Sequence, residues 1–131
     1  MDEQVKNVLN ITDKLESRIN SYWNFYTIVV LAVIGWLMSS KAPFSTSQGI
    51  ALTIALLMFF AANFFLMRLA TLRLLAFECE LSALSSNLEF ASDELKRNLL
   101  RNSMPYRLPA SYILHFVVDA AVIYAIWSKL A

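Results

Sequence analysis

Three long apolar runs punctuate the chain. The first extends from Tyr22 to Met38, with no charge between Arg18 and Lys41. The second runs from Ile50 to Met67 and is interrupted only by Thr53 and Asn63. The third, Ala110 to Leu130, carries His115, Asp119 and Lys129. Each approaches the ~20 residues that an α-helix needs to cross about 30 Å of hydrocarbon. The pattern predicts an all-α integral membrane protein with three transmembrane helices over 22–38, 50–67 and 110–130. All of it forms a single membrane domain, 1–131.

Residues 39–49 read as a turn. Pro43 cannot continue a helix and disfavours helical backbone at Ala42 before it. Ser45, Thr46 and Ser47 are all suitable N-caps for the second span. The first two spans therefore form an antiparallel hairpin.

Outside the spans the pattern changes from continuous to periodic. In segment 1–21, Val5, Val8, Thr12, Leu15, Ile19 and Tyr22 recur at intervals of three and four, and the seam continues through Tyr26 and Val29. In segment 68–109 the same spacing links Leu74, Phe77, Leu81, Leu84, Leu88, Ala91 and Leu95. Both read as amphipathic helices with an apolar stripe that needs a partner. A straight helix from Arg68 to Arg101 would rise roughly 50 Å, more than the stretch from Asn102 to Pro109 can retrace even when extended. The segment must break or lie flat on the membrane. Ser85-Ser86-Asn87 is the favoured break, because Ser86 and Glu89 form a capping-box pair; Ser92-Asp93-Glu94 offers another helix start. A small cytoplasmic helical hairpin or bundle follows, with the N-terminal helix as a third member.

Composition agrees with burial in lipid. Hydrophobic residues make up 58% of the 131 residues and charged residues 16%, against about 25% charged in an ordinary soluble domain. The first 21 residues hold four acids (Asp2, Glu3, Asp13, Glu16) and three bases (Lys6, Lys14, Arg18) ahead of the apolar run. A cleavable leader starts with a basic tip and passes directly into its apolar stretch. The first span is therefore expected to be a retained anchor.

Charge also sets direction. Lys6, Lys14, Arg18, Arg68, Arg73, Lys96, Arg97, Arg101 and Arg107 lie on one side of the spans, and Lys41 and Lys129 on the other. The positive-inside rule then places the N-terminus in the cytoplasm and the C-terminus outside, in a bacterial-type inner (plasma) membrane. Tyr22 and Trp23 at one level and Trp36 and Trp127 at the other fit interfacial belts. A net charge of +1 with no basic stripe gives no reason to expect nucleic acid.

Candidate chemistry centres on the third span. A carboxylate in mid-membrane costs ~2.5–3.5 kcal/mol on insertion scales, so Asp119 should face protein or water. His115 stands one helical turn earlier on the same face, which Tyr112 and Ile123 continue. Asn63 of the second span lies at a similar depth. These residues serve either as structural glue between helices or as a proton or ion pathway, for which an imidazole with an ordinary pKa near 6.5 is suited. The single cysteine, Cys79, sits in the acidic run Phe77-Glu78-Cys79-Glu80 and reads as a packing residue. One His with one Cys offers no metal or haem pattern, and two glycines make no phosphate loop. No cofactor, small-molecule substrate or catalytic set is expected. The sequence points to a non-enzymatic protein acting by helix-mediated assembly, with itself or a membrane-protein partner in the lipid bilayer. The alternative is a small oligomeric proton or ion channel.

Overall fold

The computed structural model describes residues 3–41, 43–86, 92–99 and 107–130, and only the backbone of residues 95, 98 and 99. Four helices follow one another: α1 Glu3–Ser39, α2 Thr46–Ser85, α3 Asp93–Leu99 and α4 Arg107–Trp127. Three of them, α1, α2 and α4, are long and apolar enough to cross a membrane.

The polarity changes near residues 21 and 67 are not helix ends. No proline or glycine stands at either place, so nothing interrupts the backbone ladder, and each mixed segment continues its span as one helix. At helical rise, the 37 residues of α1 reach about 55 Å and the 40 of α2 about 60 Å. The 21 residues of α4 reach only about 31 Å.

The breaks occur where local chemistry supplies caps. Pro43 lies in the turn, and Ser45 then adopts extended backbone (φ −70°, ψ 153°) as N-cap of α2. Its hydroxyl accepts from Gln48 N at 3.3 Å, while Gln48 Oε1 accepts from Ser45 N at 3.1 Å. This reciprocal box satisfies donors that the first turn leaves open. At the other end, helix α2 stops at Ser85, within the break expected from the sequence. The Ser86 hydroxyl donates to Ala83 O at 2.8 Å, and its N–H to Ser82 O at 3.1 Å. Leu88, Glu89 and Ala91, which carry the rest of the expected seam and box, lie outside the described residues, as does the side chain of Leu95. In α4, Pro109 falls in the first turn, where its missing N–H is harmless.

Helices α1 and α2 pack as an antiparallel pair through seven-residue repeats. On α1 the buried positions include Val5, Thr12, Ile19 and Tyr26, then Val30 and Leu37. On α2 two interleaved sets are buried: Gly49, Leu56, Asn63 and Ala70, and Phe60, Met67, Leu74 and Leu81. Seven-residue spacing keeps one stripe facing a partner along the whole length, as in a coiled coil. The seam departs from the expected one in detail. Leu15, Ile19, Leu74 and Leu81 are buried, whereas Val8, Phe77 and Leu84 are half-buried and Val30 replaces Val29 as the fully covered position. Cys79 is exposed rather than packed, because the neighbouring seam positions Phe77 and Leu81 turn it outward.

Helix α4 covers only the half of this hairpin nearest the 40–45 turn. There Tyr26, Val30, Leu37, Leu56, Phe60, Val122 and Ile126 form one apolar core. A second core, Leu15, Ile19, Ala70 and Leu74, belongs to α1 and α2 alone. The C-terminal end closes over the turn: Phe44 N donates to Lys129 O at 3.3 Å, and Leu130 packs on Gly49. A Cβ at Gly49 would meet Leu130 Cδ2 at 2.7 Å, so the close approach uses the missing side chain. The half of the hairpin beyond α4 is a two-helix arm, and α3 contacts α2.

Candidate polar site between the spans

Asp119 enters the bundle because it shares the inward face of α4 with His115, Val122 and Ile126, at intervals of three and four. Its partner comes from α1. Tyr26, 3% exposed on the seam, donates its hydroxyl to Asp119 Oδ1 at 2.5 Å. A phenol is suited to this place, since its ring packs among Trp23 and Phe60 while its polar tip meets the carboxylate. The bond links α1 and α4 directly.

His115, 2% exposed, is held by rings on three sides. Tyr26 lies 4.3 Å away between centroids, Trp23 5.0 Å and Phe64 5.8 Å. Its Nδ1 stands 3.8 Å from Asp119 Oδ2, an ion-pair separation beyond hydrogen-bond reach. That nitrogen has no hydrogen-bond partner, although it is buried. The Nε2 atom instead meets Met67 Sδ at 3.1 Å, and Asn63 Nδ2 donates to the same sulfur at 3.3 Å. A thioether is a weak acceptor, so this contact fixes orientation more than it adds energy.

The four residues singled out in the sequence therefore divide. Asn63 and His115 converge on Met67, and Asp119 sits beside His115. Tyr112 lines the same groove but turns its hydroxyl elsewhere: it accepts from Arg68 Nε at 3.0 Å, and its ring lies 5.0 Å from that of Phe64. This is an outer tie between α2 and α4 at the polar end of the spans. Tyr26 and Met67 are the members that residue-type reasoning missed. Tyr26 had a legible signal, a phenol on the seam within an apolar span, where its hydroxyl requires a partner. Met67 had none. Trp23, assigned to an interfacial belt, turns inward against His115.

One side of the site is open. A groove of about 460 Å³ runs between α2 and α4, lined by Leu57, Phe60, Ala61, Phe64, Tyr112, Phe116 and the polar pair. The Asp119 side chain is 21% exposed. Among the described residues no group of three His, Cys, Asp or Glu side chains is placed to hold a metal ion. The arrangement can hold a proton between a phenol and a carboxylate, and it can fix three helices in register. No protein-family model matches the chain, and neither a curated protein nor a solved structure is significantly similar to it.

Proposed function

We propose that the chain is a non-enzymatic inner-membrane protein that acts by helix-mediated assembly, with itself or with a membrane-protein partner. Its N-terminus and two-helix arm lie in the cytoplasm and its C-terminus outside, the direction that nine Lys/Arg against two favours. The observation that carries the reading is the mismatch in helix length. Helices α1 and α2 are nearly twice as long as α4, so their outer halves form an arm with a single buried seam. A two-helix pair buries one stripe of each helix and leaves the remaining faces for a further partner. Among the described residues, the arm also exposes Ile11 and Leu72.

In this reading the Tyr26–Asp119 bond is glue within one molecule. It docks the polar third span so that the arm is presented at a fixed angle. Leu81→Asp, near the arm's end, places a charge in the seam and should abolish assembly while the three spans stay folded. Assembly unchanged in that variant would mean that the arm is not the contact.

A second reading has a specific observation in its favour, the partial opening of Asp119 to the α2/α4 groove. Several copies with this groove turned inward would form a conduit with Asp119 as the exchangeable carboxylate and His115 as relay. Proton or cation flux into liposomes that vanishes in Asp119→Asn would support the conduit. Absence of flux in the wild type would exclude it.

A further inference from the structure

The Asp119 carboxylate is only half satisfied. Its Oδ1 accepts from Tyr26, but among the described residues no hydrogen bond reaches Oδ2, which is not enclosed. His115 Nδ1 stands 3.8 Å from that oxygen, beyond hydrogen-bond reach, and is itself buried without a partner. The other ring nitrogen, Nε2, faces the Met67 sulfur, which already takes the Asn63 N–H. A thioether accepts and cannot donate, so in the neutral ring the proton belongs on Nε2 and Nδ1 carries a lone pair. Two acceptors then face each other with no donor between them, on the wall of the α2/α4 groove.

Depth and lining restrict what can complete the pair. At helical rise Asp119 stands about 13 Å beyond Ala110 and about 12 Å short of Trp127, near the middle of roughly 30 Å of hydrocarbon. Phospholipid headgroups lie at the far ends of that distance. A second copy brings no cation to this level either: the only Lys or Arg within the three apolar runs is Lys129, about 15 Å beyond Asp119. The groove itself is aromatic, lined by Phe60, Phe64 and Phe65 of α2 and by Tyr112 and Phe116 of α4. Ring faces attract a cation, and a carboxylate in a low dielectric attracts it more strongly. At the groove's other end Arg68 donates to Tyr112, which disfavours a second positive charge there.

We propose that this groove binds a lipophilic monoamine in its ammonium form, which enters from the bilayer, donates an N–H to Asp119 Oδ2 and lays its apolar body along the rings. Each part of the ligand has a counterpart: the N–H meets the unpartnered oxygen, and the single charge suits one carboxylate. The hydrocarbon body spans the ~10 Å of helix from Asp119 back to Tyr112. The site rests on the three helices spanning a bilayer, and on neither an assembly contact nor conduction.

The test is photolabelling of the full chain in dioleoylphosphatidylcholine vesicles by dodecylamine that carries a diazirine in its chain. Labelled residues, mapped by mass spectrometry, should fall within 57–65 and 112–119. Excess dodecylamine should remove the label, whereas 1-dodecanol should not. Asp119→Asn keeps an acceptor for the Tyr26 hydroxyl but loses the charge, and should weaken binding about tenfold. Phe116→Leu changes a side chain that is 77% exposed, so the fold stays intact. Loss of its ring should weaken amine binding about two- to fivefold. Label spread evenly over lipid-facing residues would overturn the site, as would full labelling in either variant. Displacement by 1-dodecanol as readily as by the amine would make the groove a plain apolar cleft, and no label in the groove would mean that another helix covers it. Either result refutes the amine assignment.

Discussion

A carboxylate in the middle of an apolar helix needs a donor, and here it comes from a residue 93 positions away in sequence. The chemistry of Asp119 announced that need, but not the helix that meets it. Tyr26 is one of several aromatics in the first span, and only the pairing of α1 with α4 selects it. Removing the hydroxyl leaves a carboxylate oxygen without its donor in apolar surroundings, so Tyr26→Phe should destabilise the fold by about 1–3 kcal/mol. The bond itself is measured by a double-mutant cycle with Asp119→Ala in reversible unfolding from detergent. A coupling of about 0.5–1.7 kcal/mol is expected for an interhelical bond in a membrane protein. Additive effects would mean that the two side chains do not meet.

At the scale of elements, the seven-residue repeat decides more than the change from polar to apolar. The repeat from Val5 to Tyr26 crosses the expected boundary at residue 21 without a break, and α1 follows it. Composition marks where lipid would end, but helix ends need a cap or a breaker, and for the end of α1, the start of α2 and its end these are supplied by Pro43–Ser45 and Ser85–Ser86. Those two breaks were legible for that reason. The outward turn of Cys79 follows from register, which the acidic character of its neighbours does not reveal. In the arm, Leu74 is fully buried while Leu72, two residues away, is 42% exposed. Leu74→Ala should cost about 2–5 kcal/mol in local stability. Hydrogen exchange should then accelerate at the amides of 5–19 and 70–84 and stay slow in α4. Leu72→Ala should leave both regions unchanged. Equal effects of the two variants would contradict the seam.

As a whole, the molecule is a long antiparallel hairpin with a short third helix docked on half of it. The third helix was evident from its hydropathy, whereas its docking depends on pairings that no single segment encodes: Tyr26 with Asp119, Arg68 with Tyr112, and Leu130 over Gly49. The direction in the membrane is open to a labelling test in a Cys79→Ser background. Glu3→Cys should react only from the cytoplasmic side and Ser128→Cys only from outside; reaction of both from one side would contradict three spans. The proposal that the arm exists to bind another chain is tested most directly by the mass of the wild-type protein extracted in mild detergent. A complex larger than one chain, containing further copies or a stoichiometric partner, is the predicted result. A strict monomer with no co-purifying chain would contradict it.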